Sequence, residues 1–134
     1  SMLFQSSDTL VSGIFITFSG NCKKALTFYQ SCFGGRLHFE IFDKKLPGYP
    51  EIPVISGSLV SDSIVIYGSD LVHNEGRNIG NYLSVFLKCK NAEHRRVIIK
   101  KLENVHKTQS VRNYEEQRLV EIRDAFDVRW VLGI

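Results

Sequence analysis

Hydrophobic positions along this chain switch between two periods, and the switches mark out its elements. From Gly13 to Ser19 the run Ile14-Phe15-Ile16-Thr17-Phe18 is short and rich in β-branched and aromatic residues, which predicts a strand buried on both faces. Behind Asn21, a residue suited to cap a helix, Cys22, Ala25, Leu26, Tyr29, Cys32 and Phe33 recur at steps of three and four, with Lys23, Lys24 and Gln30 on the other side. Gly34-Gly35 stops that helix. Leu37 to Phe42 is a second strand. Asp43 to Pro53, with its prolines and glycine, is an irregular loop. Val54 to Val60 and Ser63 to Tyr67 are two further strands, separated by the pair Ser61-Asp62, which suits a hairpin turn.

After a turn-rich polar connection over residues 69–80 the same order returns. Tyr82 to Lys88 reads as a strand. Asn91 can cap a helix from Ala92 to about Val105, whose apolar members Val97, Ile98, Leu102 and Val105 share a side. Glu93 in its first turn, with Lys100, Lys101 and His106 near its end, suits the helix dipole. Thr108 to Arg112, Arg118 to Arg123 and Val128 to Leu132 are three closing strands. One strand, one helix and three strands thus occur twice, at an interval of roughly 65 to 70 residues, which reads as an internal duplication. The alternative is a single mixed sheet of the ferredoxin sort with added strands.

Composition narrows the partners. The 134 residues make a chain of one-domain size, 43% hydrophobic and 23% charged, and no apolar stretch approaches the roughly 18 residues that span a bilayer. The net charge of +3 is spread along the chain, not gathered into a basic stripe, so neither nucleic acid nor membrane is the expected partner. Cys22, Cys32 and Cys89 lack CxxC spacing and are odd in number, which predicts reduced thiols in a cytoplasm. Residues 1–9 read as a flexible leader without an export signal. Residues 10–134 form the expected domain, in modules 10–70 and 79–134.

The segment from Ile16 to Gly35, with its Gly20-Asn21 turn, Ala25-Leu26-Thr27-Phe28-Tyr29 helix and Phe33-Gly34-Gly35 stop, resembles the opening of the PhnB-like branch of the glyoxalase/bleomycin-resistance (vicinal oxygen chelate) superfamily. Leu46-Pro47-Gly48, Ser61-Asp62-Ser63 and Asp124 to Trp130 extend the match over nearly the whole chain. In the last segment Asp127 stands where that family usually has glycine, and aspartate tolerates the left-handed backbone such a turn needs. The resemblance implies an α+β fold of two tandem βαβββ modules, forming a cupped mixed sheet with helices on its outer face. The fold does not imply one chemistry, because the superfamily carries isomerases, dioxygenases, antibiotic-modifying enzymes and binding proteins.

Metal-dependent relatives place a divalent ion in the cup, held by residues of the first and fourth strands of both halves. Counting from the matched motifs puts those positions on Ile14, on Ile66 or Tyr67, on Ser84 and on Leu132. Ile and Leu offer no lone pair, and Ser or Tyr alone leave a divalent ion without carboxylate or imidazole, so no metal and no cofactor is expected. His38, His73, His94 and His106 show no paired spacing and read as surface residues. Alternation then lines the cup with Ile14, Ile16 and Phe18, with Tyr67, with Ser84, Phe86 and Lys88, and with Trp130 and Leu132, mostly apolar walls suited to a small organic ligand.

Other groups have bland readings beside sharper ones. Arg118, Glu121, Arg123 and Asp124 can grip a charged ligand through the arginines, or form a solvated strand edge. Cys22 and Cys32 suit buried packing, whereas Cys89 between Lys88 and Lys90 has a better setting for a thiolate. The loop from Asp43 to Pro53 is a lid, a subunit contact or a plain surface loop. No glycine-rich βα turn for an adenosyl cofactor is present. The expected function is metal-free binding of a small organic molecule by a homodimer, with no catalytic residue assigned. The alternatives are a lyase- or isomerase-type enzyme with a displaced metal or an acid–base site, and a non-catalytic dimeric interaction module.

Overall fold

A computed structural model of the chain describes residues 11–70, 77–104 and 116–134. The chain divides into two compact units, Ser1–Asn74 and Glu75–Ile134. In the first, β1 (Ile14–Thr17), α1 (Cys22–Phe33), β2 (Arg36–Ile41), β3 (Val54–Val60) and β4 (Val65–Ser69) follow one another. Their sheet has the order β1-β4-β3-β2, with β1 parallel to β4 and the remaining pairs antiparallel. In the second unit β5 (Val85–Lys88), α2 (Ala92–Leu102), β6 (Leu119–Arg123) and β7 (Arg129–Gly133) build a sheet of order β5-β7-β6, again with a parallel pair, β5 with β7. The architecture is the expected α+β one. Among the described residues the strands form two mixed sheets, of four and of three strands, and not the single sheet of the ferredoxin alternative. The leader, the strand from Thr108 to Arg112, His73, Val105 and His106 lie outside the described residues.

The first core forms between α1 and one face of its sheet. Cys22, Ala25, Leu26 and Tyr29 of α1 are buried, as are Phe18, Val54, Leu59 and Ile66. Glycines let the layers close: a Cβ on Gly57 would stand 3.0 Å from Leu26 Cδ1, and one on Gly68 would stand 2.9 Å from Phe18 Cε2. Each fully buried Leu, Ile or Phe here contributes about 1.5–3 kcal/mol.

The start of α1 is capped from a distance. Asn21 makes no side-chain cap, and its Oδ1 is buried without a partner among the described residues. Instead Asp70, just past β4 and itself buried, accepts from Gly20 N at 2.7 Å and Cys22 N at 3.1 Å through Oδ1, and from Val54 N at 2.9 Å through Oδ2. A carboxylate among three backbone N–H groups is stabilised there, and it locks the β1–α1 turn to the start of β3 and the end of β4. The loop before β3 joins the same hub, because Tyr49 donates through its hydroxyl to Asp70 O and its ring lies against Gly20.

Helix α2 is shorter than expected, and its buried face differs. Asn91 Oδ1 accepts from His94 N, the cap the spacing predicts, but Arg95, Ile99 and Leu102 are the buried residues while Val97 is 43% exposed. Arg95 Nη1 donates to Arg118 O and Leu132 O, and Asn104 N donates to Arg123 O, tying the helix to its sheet. Asp124, also fully buried, accepts from Phe126 N, Val128 N and Trp130 Nε1. Asp127 takes a φ of 68°, the left-handed conformation its place in this turn requires. The β3–β4 connection is longer than the expected hairpin pair: Ser61 Oγ both receives Ile64 N and donates to Ile64 O, closing a four-residue turn.

Candidate functional site

Strand register decides which side chains are available to a ligand. Residues directly paired across neighbouring strands share a face, and successive residues alternate between faces. In the first unit Ile14 pairs with Ile66, Ile16 with Gly68, and Leu59 with both Ile66 and Leu37. Ile66, Leu59 and Gly68 lie on the face that α1 covers, so half-buried Ile14 and Ile16 share that face, as does the buried Phe18. The open face carries the other parity. Phe15, Tyr67, Ser58 and His38 stand side by side on β1, β4, β3 and β2, one unbroken row across the sheet. With adjacent strands about 4.8 Å apart, the row is about 14 Å long. Arg36, Val60 and Val65 form the row on one side of it, and Glu40 with Ser56 flank it on the other.

The row is chemically unusual for a sheet surface. Phe15 is 55% exposed. Tyr67 and Ser58 are half-buried and His38 is exposed, and none of the three polar side chains has a hydrogen-bond partner among the described residues. An aromatic wall is thus followed by a phenol, a hydroxyl and an imidazole, all with free donor or acceptor capacity.

The second unit repeats the division. Trp130, Leu132, Val120, Ile122 and Val85 occupy the buried face. Phe86, Val131 and Glu121 form one row of the open face, and Lys88, Gly133 and Leu119 the next. Ser84, one step before β5, has the parity of Phe86. Arg129 forms an ion pair with Glu121 on this face. Phe86, paired with β7 as Phe15 is with β4, is 56% exposed, so equivalent positions of the two repeats both present an aromatic side chain.

Of the ten residues expected to line a pocket, the structure therefore brings only some to an open face. Tyr67 lies on the first, and Ser84, Phe86 and Lys88 on the second. Phe18, Trp130 and Leu132 are core residues, half-buried Ile14 and Ile16 have the parity of the covered face, and exposed Arg118 precedes β6, its carbonyl occupied by Arg95 Nη1 and Ile134 N. The reason is physical: a strand covered by a helix on one side turns its apolar alternation toward the helix, so the open side is the less apolar one. Phe15, Ser58 and His38, absent from the expected lining, stand on that open side. The signal was present as the alternation Arg36-Leu37-His38-Phe39-Glu40, whose polar members mark the open face.

The donor test for a metal has to be repeated on the correct faces. On the parallel strand pairs those residues are Gly13, Phe15, Thr17, Val65, Tyr67 and Ser69, and then Ser84, Phe86, Lys88, Arg129, Val131 and Gly133. They include no carboxylate, imidazole or thiol, and among the described residues no group of three or more His, Cys, Asp or Glu side chains converges. Neither unit's set fits a hard divalent cation.

The remaining candidates resolve into structure. Asp124 is a buried hub, not part of a solvated edge. His94 accepts Lys90 N at Nδ1 beside the helix cap. Burial, with the nearby Asp70 carboxylate, pushes the Cys22 thiol up to about 12. Cys89 is buried as well, and its thiol is raised by desolvation, which the neighbouring Arg95 only partly offsets, so the expected thiolate setting is not realised. No described helix is long and apolar enough to cross a membrane.

This arrangement, two α+β repeats each with a helix-covered and an open sheet face, is the vicinal oxygen chelate type of fold, and its structural neighbours are PhnB-like and FosX proteins of that superfamily. A PhnB protein from Bacillus cereus, which bears the name of a 3-demethylubiquinone-9 3-methyltransferase, is 20% identical over 91% of this chain and 97% of its own, with a TM-score of 0.73. Protein PA1353 from Pseudomonas aeruginosa is 21% identical over 93% and 97%, also at 0.73. A mutant of the fosfomycin resistance protein FosX from Listeria monocytogenes, in complex with Mn(II) and 1S,2S-dihydroxypropylphosphonic acid, is 12% identical over 93% and 91%, at 0.62. At these identities the likeness is one of fold. No family model and no curated protein matches the sequence.

Proposed function

We propose that this chain binds a small organic molecule on the open face of its first sheet, through aromatic contact and hydrogen bonds in place of a divalent metal. The observation that carries this reading is the row Phe15, Tyr67, Ser58 and His38, where three polar side chains without a hydrogen-bond partner among the described residues stand beside a half-exposed ring. Aromatic surface with a few placed polar groups is the usual make-up of a small-molecule site. The glyoxalase and bleomycin-resistance fold supports it, since FosX binds a phosphonate diol on the same type of scaffold.

A thermal-shift screen of metabolites, followed by His38→Ala and Phe15→Ala variants, tests the proposal. A stabilising compound whose effect both variants abolish supports it. A screen to the millimolar range in which nothing stabilises the protein counts against it. Titration with Mn²⁺ and Zn²⁺ separates this reading from a metal-dependent enzyme: stoichiometric, chelator-sensitive binding would replace it. We place the protein in the cytoplasm on its free cysteines and propose a homodimer, supported by the exposed Tyr82 and Leu83. Light scattering at micromolar concentration checks the latter.

A further inference from the structure

Gly13, one residue before β1, has no positive φ to explain it, yet it has no room for a side chain. A Cβ there would stand 2.9 Å from Tyr67 Cε2, 2.9 Å from Val65 O and 3.1 Å from Val65 Cγ1. The Tyr67 ring therefore lies down against the backbone of the neighbouring strand, where most side chains stand up from the sheet. Its Cε2 edge, next to the hydroxyl-bearing carbon, is the part in contact. The phenol end is held over the start of β1 by the absence of one methyl group.

The second unit uses the same device on its own parallel pair. A Cβ on Gly133 of β7 would stand 3.1 Å from both Cε1 and Cζ of Phe86, and Gly133 likewise has no positive φ. Ring and glycine have exchanged strands, but the seat is the same. The difference between them is chemical: Phe86 presents only a hydrocarbon ring, whereas Tyr67 presents a hydroxyl without a partner among the described residues.

Resting on the binding reading above, we propose that Gly13 is a positioning residue for Tyr67, and that the ligand is a small aromatic compound bearing a carbonyl-type oxygen to which the Tyr67 hydroxyl donates. The ring of such a compound covers the exposed Phe15, paired beside Tyr67 in the register. The side chains paired with Tyr67 in the register, Phe15 and Ser58, and Val65 by the same Gly13 are neutral and include no carboxylate to repel that oxygen. Offset or edge-on contact with Phe15 is the geometry aromatic pairs favour, and a phenol donor held in place loses little freedom when it bonds.

The test uses the full chain labelled for NMR, with acetophenone as the probe and ethylbenzene as its counterpart without an acceptor. In the free protein a nuclear Overhauser contact from Gly13 Hα to a Tyr67 Hε is expected, and its absence overturns the seat. Acetophenone is expected to shift the amide resonances of Phe15, Ser58 and Tyr67 and to bind about tenfold tighter than ethylbenzene, the value of one good hydrogen bond. Tyr67→Phe keeps the ring on its seat and is expected to erase that preference. Equal binding of the two probes to the wild type, or a preference that survives in Tyr67→Phe, overturns the ligand assignment. Gly13→Ala, where it folds by circular dichroism, is expected to move the Tyr67 ring resonances and lose the preference; where it does not fold, the Overhauser contact and Tyr67→Phe decide. If neither probe shifts any open-face resonance, the binding reading itself fails, and the Overhauser result still judges the seat separately.

Discussion

Replacing Asp70 tests whether the first unit is organised as described. Its carboxylate accepts three backbone N–H groups at 2.7, 3.1 and 2.9 Å, and at 3% exposure water cannot take over all of them. A hydrogen bond to a charged group contributes about 1.5–3 kcal/mol, and a buried donor left without its acceptor costs about 1–3 kcal/mol. Simple addition would exceed what single substitutions normally cost, and the Gly20 amide is only part-buried, so relaxation and hydration reduce the sum. The expected loss for Asp70→Ala is about 3–5 kcal/mol, a large part of the roughly 5–15 kcal/mol that holds a domain of this size. Asp70→Asn keeps the shape but turns an NH₂ toward at least one N–H, and about half that loss is expected. Urea unfolding followed by far-UV circular dichroism measures both. Amide exchange at Gly20, Cys22 and Val54 should accelerate before that of Leu59 or Ile66. A loss below about 1 kcal/mol for Asp70→Ala, with unchanged exchange at those three amides, would refute the hub.

Further outcomes follow from other contacts. Trp130→Phe keeps the ring in the core but removes the 2.9 Å bond from Nε1 to the buried Asp124, so urea unfolding should show a loss of about 1–3 kcal/mol; an unchanged midpoint would mean the bond is not formed in solution. Iodoacetamide at mildly alkaline pH should label Cys32 before Cys22, because Cys22 is fully buried with a thiol near 12; mass spectrometry reads the order. The same raised thiol makes folding favour the protonated form, so its contribution is intact below the unfolded value near 9.0 and is lost as pH rises from there toward about 12. Cys22→Ala should flatten that decline in urea titrations taken across the range. Gly35→Ala should destabilise more than Gly34→Ala: both have positive φ, 103° and 75°, but only at Gly35 would the new Cβ meet backbone, 2.5 Å from Val60 O. Melting temperatures of the two variants check the order, with about 1 kcal/mol expected at Gly34 and more at Gly35.

Much of the architecture could be read without coordinates because it depends on local periodicity. The change from strand to helical spacing after Asn21, the Gly34-Gly35 stop and the Asn91 cap are short-range signals, and the elements form within a few residues of them. Repetition of that order also carried the fold type, since one βα repeat fixes what the next must look like. The positions to which the resemblance assigns metal ligands fall on both faces: Tyr67 and Ser84 on the open ones, Ile14, Ile66 and Leu132 on the covered ones.

What periodicity could not supply was the side of the sheet on which each residue falls. Alternation states that Ile14 and Phe15 point in opposite directions, and only the packing of α1 against Ile66, Leu59 and Gly68 states which direction is the core. The same holds for the row that joins His38 to Phe15 across four strands, since its members are separated by up to 52 positions in the chain and meet only through hydrogen-bond register. Asp70 and Asp124 likewise look like ordinary surface carboxylates in the sequence. Their roles arise when backbone N–H groups, remote ones from a helix start for Asp70 and local ones from a turn for Asp124, are buried around them. Sequence by itself determined which elements form and in what order; tertiary structure decided which side chains stand on the open sheet faces, because facing is a property of packing between segments remote in the chain.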